Sequence, residues 1–359
     1  MRAVTGARAV TSNDVARWAG VSQATVSVVL NGARSNIRVS EATRERVTAA
    51  AAALGYTPHL AARALRRQRS GVIGFVPRIF RQTPYERPIP YLLSVHIARA
   101  AMLGGYHVIE VNAESSEARA GGALIEFLLG QRVDGVIFDA PDSAAEVRRF
   151  VERGVPVVQL LRPRPVAAAS TITVDPVAGI DGAVAHLAAL GHRRIAFIGS
   201  SRTNPVDRHR LEAFVAALAD RAIPLPDAYR QLGLTRAVEG GYDATETLLA
   251  LPARPTALLI MGDSLALGAL RALYERDVRV PDVMSIISYD DAFASFLYPP
   301  LTSVAQPVRE VAERAVTLLA ARIEDADAAL PPEHIVMPTG LVVRASTRRP
   351  PGTWEGEPK

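Results

Sequence analysis

A chain of 359 residues with 49% hydrophobic side chains is long enough for a large core with an appended small domain, and too apolar to be disordered. The absence of Cys excludes disulfides, thiolate nucleophiles and Cys-ligated zinc, and the seven His have no metal-binding spacing, so neither metal nor cofactor is expected. The net charge of +5 is segregated: up to Ser70 eleven Arg face three acidic residues, giving +8 and leaving −3 for the remainder, the footprint of a nucleic-acid-binding head on a weakly acidic body.

In chain order, residues 1–10 read as a disordered basic lead. Thr11 and Asp14 have the spacing of a helix N-cap with its acidic partner, and Val15, Ala16 and Ala19 repeat at helical spacing until Gly20. Ser22 caps a second helix whose apolar stripe is Val26, Val29 and Leu30 and whose other face carries Gln23, Ala24, Thr25, Ser27 and Val28. Two short helices joined by a tight turn make a helix-turn-helix, in which the start of the second helix enters the major groove; an ordinary helical hairpin is the alternative. After a polar loop, Ser40 caps a third helix with Val47, Ala50, Ala51 and Leu54 on one face, ended by Gly55. This domain spans 11–57. The segment 58–70, rich in Ala and Arg, is too short for a stable isolated helix; it is either a basic linker or a hinge that folds on DNA with Leu65 as a minor-groove wedge.

From Val72 short apolar runs alternate with helical stretches. The runs at 72–76, 107–111, 135–138, 155–160, 194–198, 229–232, 256–260 and 283–287 predict buried strands, and 92–103, 177–190, 211–221 and 263–276 predict helices. Such alternation means parallel sheets with right-handed crossovers. The expected class is therefore α/β, a three-helix helix-turn-helix domain plus a two-lobed, doubly wound body at 71–350 and a tail at 351–359. Lobe 1 is expected over 71–161 with 292–324, and lobe 2 over 162–291 with 325–350, split near Arg162-Pro163-Arg164-Pro165. No apolar run reaches the roughly 18 residues of a membrane span and the start has no signal-peptide core, so a cytoplasmic protein without membrane contact is expected.

Ligands of such bodies sit outside the carboxyl ends of the strands, between the lobes. The residues just past the strands include Arg78, Asn112, Asp139, Leu161, Ser200, Asp263 and Asp290. Asp263 and Asp290 can accept hydrogen bonds from ligand hydroxyls or pair with a cation; each could instead cap the following helix. Arg210 is read as opening a helix, where a cation opposes the dipole, and so should have another partner such as a ligand or a carboxylate across the cleft.

These residues fall into ordered motifs. They are Asp14-Val15-Ala16 with Ala19-Gly20-Val21-Ser22 and Thr25-Val26-Ser27, then Val39-Ser40-Glu41 and Leu54-Gly55-Tyr56-Thr57-Pro58. In the body they are Arg132 to Ile137, Leu190 to Gly199, Ser288-Tyr289-Asp290-Asp291, Leu301 to Val304 with Gln306-Pro307, and Leu341 to Thr347. Over Asn13 to Pro350 the chain resembles the lactose repressor/galactose repressor (LacI/GalR) family of bacterial transcription regulators. The resemblance implies a homodimer on a pseudo-palindromic operator in double-stranded DNA, with a small-molecule effector closing the two periplasmic-binding-protein-like lobes. It puts base reading on Gln23, Ala24 and Val28, hinge insertion on Leu65 and ligand contact on Arg210 and Asp290; with the residue reading, the expected DNA contacts are Ser22, Gln23, Ala24, Thr25, Ser27, Val28 and Asn31, the hinge contacts Ala62, Leu65 and Arg66, and the effector contacts Arg78, Leu161, Arg210, Asp263 and Asp290. The chain departs from the family pattern in several places. Val28 offers only an apolar contact where the family has a polar one, the loop 32–39 and the segment 77–90 are longer, Leu161 stands where sugar binders carry Asp, and Asp175-Pro176 replaces Asp-Asn. The expected effector is a sugar-like or other small polar ligand.

Two other classes remain open. Gly262-Asp263-Ser264-Leu265 spells the signature of GDSL hydrolases, but the only later His is His334, preceded by Pro331 rather than the Asp that would orient it. A sugar-binding protein without DNA contact would share the body but lack the basic head. The expected activity is sequence-specific regulation of transcription, as a repressor, with no enzymatic reaction.

Overall fold

The computed structural model describes residues 10–31, 38–56, 69–78, 87–111, 123–139, 144–161, 166, 169–199, 205–234, 237–325 and 330–351. Two compact units divide at Gly71.

The first unit has three helices, α1 (Ser12–Ala19), α2 (Gln23–Asn31) and α3 (Glu41–Leu54). Their ends are fixed locally, as their sequence predicts. Thr11 and Asp14 form a reciprocal capping box at α1, and Gly20 ends it in the left-handed conformation at φ 65°. The Ser22 hydroxyl accepts the Thr25 N–H at 3.1 Å and the Ser40 hydroxyl accepts that of Thr43 at 3.3 Å. Gly55 closes α3 at φ 63°. The core is Val15, Ala16, Ala19, Val26, Val47, Ala50 and Ala51, with Val29, Leu30 and Leu54 packed on it. Burying each valine contributes on the order of 1.5–3 kcal/mol, so alanines at most other positions leave this unit a thin core.

The second unit carries two six-stranded sheets. The first runs in the order β11-β5-β4-β3-β1-β2, comprising β1 (Val72–Val76), β2 (His107–Glu110), β3 (Gly135–Asp139), β4 (Val157–Leu160), β5 (Ser170–Asp175) and β11 (His334–Pro338), all parallel. Helix α4 (Pro88–Leu103) and helix α11 (Val308–Glu324) cover one face through Leu93, Ile97, Ala101, Val311, Ala315 and Leu319. Helices α5 (Ala123–Gly130) and α6 (Ala144–Glu152) serve the other, with Leu128, Val147 and Phe150 buried on Val136 and Phe138.

The second sheet runs β12-β10-β9-β8-β6-β7, comprising β6 (Ile195–Ile198), β7 (Arg230–Gln231), β8 (Ala257–Ile260), β9 (Ser285–Asp290), β10 (Thr302–Ala305) and β12 (Gly340–Val342), antiparallel only at β12. Helices α7 (Val177–Ala189) and α8 (Pro205–Ala219) pack on one face, α9 (Ala237–Leu249) and α10 (Asp263–Glu275) on the other. The last two approach backbone to backbone. A Cβ at Gly241 would overlap the Leu265 carbonyl, and one at Gly268 the Val238 carbonyl. Only glycine fits either place.

The topology corrects the expected lobe boundary. Strand β5 extends the first sheet, so the chain crosses between lobes at Pro176, beyond 162–165, which lie outside the described residues. It returns through Gln306-Pro307 into α11 and crosses last at Thr339 between β11 and β12. Thus β10 belongs to the second lobe, and α11 with β11 to the first. Thr339 ties two crossings together: its N–H and hydroxyl donate to the Asp175 carbonyl at 3.1 and 3.0 Å, and its hydroxyl accepts the Gly179 N–H at 3.1 Å.

Candidate functional site: the reading helix and the interlobe cleft

On α2 the polar start is presented to solvent. Ser22, Gln23 and Ala24 are exposed, while Thr25 and Val28 are half-buried. Gln23 donates to the Ser12 hydroxyl at 3.3 Å, which couples the reading helix to the start of α1. Ser27 differs from its expected place on the outer face: it is 5% exposed, beside the buried Val26. Asn31 ends the helix. Ala62, Leu65 and Arg66 lie outside the described residues.

In the body, the carboxyl ends of β1 and β3 and the start of α4 bring Arg78, Asp139 and Arg87 to one edge. The Arg78 backbone N–H donates to Asp139 Oδ2 at 3.4 Å, and Asp139 is 3% exposed. Asp139 and Asp290 are the last residues of their strands, not residues beyond them. Leu161, just past β4, has φ 52°, in the left-handed region that a branched side chain rarely takes. It lines a narrow, mostly apolar recess with Ile89, Leu93, Val174, Gln306, Val308 and Val311.

Facing this edge from the second lobe is Arg210. Helix α8 begins at Pro205, so Arg210 lies in its second turn rather than opening it, and the dipole opposes it less than the sequence suggests. Carboxylate partners are present, but on its own lobe rather than across the cleft: Asp207 lies one turn earlier on α8 and Asp290 ends β9. Arg210 sits 3.8 Å from Asp207 and 3.9 Å from Asp290, with 14% of its side chain exposed, and its guanidinium carbon lies 4.1 Å from the centre of the Tyr289 ring. Burial alone would lower its pKa, but Tyr289, Asp290 and Asp207 hold it above the ordinary Arg value. Burial raises the Asp290 carboxyl, opposed by Arg210 and by Gln306. Gln306 donates to Asp290 Oδ1 at 2.5 Å. Asp290 therefore joins the cleft to a crossing between lobes.

The backbone there is strained, with Asp290 at φ 96° and Asp291 at φ 55°. Two groups brace it. Arg344 grips Asp291 with both terminal nitrogens at 2.6 and 2.9 Å. Asp263 is 0% exposed, and its Oδ2 accepts the Ala292 and Phe293 N–H groups at 2.7 and 2.9 Å. This corrects the expectation for Asp263: the N-cap of α10 is Gly262, and the Asp263 carboxylate is buried under the turn after β9 instead of open to a ligand. Burial, with the nearby Asp290 charge, raises its pKa to about 6.

Arg87, Asp207 and Gln306 were absent from the sequence-derived set. Arg87 is half-buried ahead of α4, and its pKa is lowered by burial and by the neighbouring Arg78, with Asp207, Asp139 and Asp290 acting the other way. Arg87 thus reaches charges of both lobes. Ser264 is 4% exposed at the start of α10, and His334 sits in the first sheet hydrogen-bonded to Thr171 at 2.9 Å. A hydrolytic Ser–His pair is not formed.

A helix-turn-helix unit and a two-lobed α/β body with charges converging between the lobes define a DNA-binding regulator with a ligand-binding-protein body. The family model for "Bacterial regulatory proteins, lacI family" matches residues 11–59, and that for a "Periplasmic binding protein-like domain" matches 184–347. The ribose operon repressor of Escherichia coli (strain K12) is 35% identical over 320 residues, 87% of this chain and 93% of that protein. The HTH-type transcriptional repressor PurR of Mannheimia succiniciproducens is 32% identical over 345 residues, 94% of this chain and 99% of its own. Among solved structures, the lac repressor dimer bound to operator and the anti-inducer ONPF is 30% identical, covering 95% of this chain and 100% of that one with a TM-score of 0.78. A complex of the transcriptional regulator CelR with cellobiose is also 30% identical, covering 94% and 99%, at TM-score 0.68. The chain belongs to the lacI family of bacterial regulatory proteins. It is a DNA-binding transcriptional regulator, and its relatives are repressors rather than enzymes.

Proposed function

We propose that the chain represses transcription as a cytoplasmic, nucleoid-associated homodimer whose operator affinity is set by a small molecule held between the lobes. In this reading Ser22, Gln23, Ala24, Thr25 and Val28 meet base edges and the neighbouring phosphates, with Asn31 at the end of the helix. Val28 contributes an apolar contact, for instance to a thymine methyl. Ala62, Leu65 and Arg66 act in the minor groove, as a wedge with flanking phosphate contacts.

The effector contacts are Arg78, Leu161, Arg210 and Asp290, while Asp263 acts as a positioning residue beneath the turn that carries Asp290. The observation that carries the proposal is the chain of contacts from Arg210 through Asp290 to Gln306. A ligand polar group that pairs with Arg210 or displaces Gln306 from Asp290 changes the partners of a residue on an interlobe crossing. Binding energy at the cleft is thereby converted into a change in lobe angle, because the two lobe arrangements differ in contacts to the same ligand.

Selection of binding sites from random duplexes by the full chain, followed by gel shifts at physiological salt, tests the DNA half. A recovered inverted repeat whose affinity drops in Gln23→Ala is expected. Equal affinity for selected and scrambled duplexes would sink it.

A further inference from the structure

We infer that Thr339 is the positioning residue of the interlobe hinge: its hydroxyl holds the end of a first-lobe strand against the start of a second-lobe helix and so sets the lobe angle to which operator binding responds. For its effect on DNA the inference rests on the reading that lobe angle carries the signal of the cleft, which it deepens.

Helix α7 opens the second lobe directly after the first crossing, and its own sequence caps it poorly. Pro176 stands at the N-cap and has no side-chain acceptor. Asp175 Oδ1 accepts the Val177 N–H at 3.0 Å. The Gly179 N–H, one of the donors that no carbonyl of the helix can reach, goes instead to Thr339 Oγ1 at 3.1 Å. The cap is thus supplied from 160 residues along the chain, by another crossing.

Thr339 is 5% exposed, and it spends its one hydroxyl proton on the Asp175 carbonyl at 3.0 Å, beside the bond from its own N–H at 3.1 Å. Donor and acceptor of a single hydroxyl therefore go to opposite lobes, to the end of β5 and to α7. The fit is close, since a Cβ at Gly179 would overlap both that hydroxyl and Val304. The residue is also in register with the cleft. Before it, Pro338 pairs with Asp175 in the first sheet; after it, Gly340 pairs with Ala305, and Ala305 with Asp290, in the second. Gln306, which donates to Asp290, follows Ala305. A rotation of one lobe on the other turns the chain at Pro176 and changes the separation of the Asp175 carbonyl and the Gly179 amide, which one oxygen bridges only while both stay at hydrogen-bond length.

The chain has no Cys, so spin labels at Glu152→Cys on the first lobe and Asp220→Cys on the second, both exposed, are unique. Labelled chain exchanged into an excess of unlabelled chain gives the interlobe distance distribution by double electron–electron resonance, with no ligand needed. Thr339→Val, which keeps the shape and removes the hydroxyl, is expected to broaden or displace that distribution, and Thr339→Ser to restore it. Thermal shift of the parent against ribose, adenosine and gluconate selects the best stabilising probe, and anisotropy on the selected duplex reads operator affinity with and without it. A change of roughly fivefold or more in that affinity or in its response to the probe is expected for Thr339→Val, with Thr339→Ser at parent values. If Thr339→Val does not fold, Thr339→Ala, which leaves space for a water on the Gly179 amide, takes the same measurements. A distribution unchanged in Thr339→Val, or altered equally in Thr339→Ser, would overturn the role of the hydroxyl. A distribution altered in Thr339→Val alone, with operator affinity and probe response both at parent values, would keep the positioning role and overturn lobe angle as the control of DNA binding.

Discussion

Asp263→Asn separates the charge of a buried carboxyl from its role as an acceptor. The side chain is 0% exposed, and burial with the neighbouring Asp290 lifts its pKa from 3.8 to about 6 against the pull of the Phe293 and Ala292 amides and the Ser288 hydroxyl. Between those two values the folded chain keeps a proton that the unfolded chain has released, so the contribution of Asp263 to stability is largest below pH 4. It is lost as pH rises toward 6 and stays lost above. A shift of about two pKa units corresponds to about 3 kcal/mol. Asn keeps a carbonyl oxygen for the two N–H groups, offers its amide to Ser288, and has no charge to desolvate. Urea unfolding at pH 4.5 and pH 8 should therefore show the stability of Asp263→Asn relative to the parent rising by about 2 kcal/mol from the lower pH to the higher. A stability difference that does not change between the two pH values would refute the assignment of a costly buried charge. A variant less stable at pH 8 would show that the ionised form is needed to hold the turn.

Two further substitutions test packing and capping. Gly268→Ala places a methyl on the Val238 carbonyl between α9 and α10, where backbone rather than side chain must move. A loss of about 3 kcal/mol or more is expected in denaturant unfolding of the second lobe, and a loss below about 1 kcal/mol would mean that the helices can part. Thr11→Ala removes the hydroxyl of the α1 capping box and should cost about 1 kcal/mol of head stability, read from its thermal transition; no change would indicate that Asp14 alone holds the end.

What the sequence made legible was local. Caps at Thr11, Ser22 and Ser40 and terminators at Gly20 and Gly55 need only neighbouring residues, and all stand where their spacing puts them. The apolar strands β1, β3, β4, β6, β8 and β9 announce themselves by burial on both faces, while β2, at an edge, shows only the short Val108-Ile109 run. Strand β5, Ser-Thr-Ile-Thr-Val-Asp, is mostly polar, β11 alternates between exposed and half-buried positions at an edge, and β12 is three residues long, so none forms an apolar run. Their loss moved the lobe boundary. A Pro-rich stretch at 162–165 looks like a linker, whereas the true crossings use one or two residues, Pro176, Gln306-Pro307 and Thr339, whose meaning comes from which sheet follows.

The site divides the same way. Asp290 was readable because it ends a strand of the second sheet, and Arg210 because a cation early in a helix calls for a carboxylate or ligand partner. Arg87 and Gln306 were not, because one lies eleven residues beyond its strand and the other belongs to a crossing. Asp263 was placed in the cleft by its position after β8, but the turn after β9 folds over it and consumes one oxygen.

The central claim is that sequence-specific DNA binding resides in the head and its control in the cleft. The most direct test is fluorescence anisotropy of the full chain on its selected duplex and on a scrambled one at physiological salt, for the parent and for Arg210→Ala, with and without the best stabilising probe. A preference of roughly a thousandfold or more for the selected duplex is expected in both proteins, altered by the probe in the parent alone. Loss of that preference in Arg210→Ala without probe, or an equal response of both proteins to the probe, would contradict it.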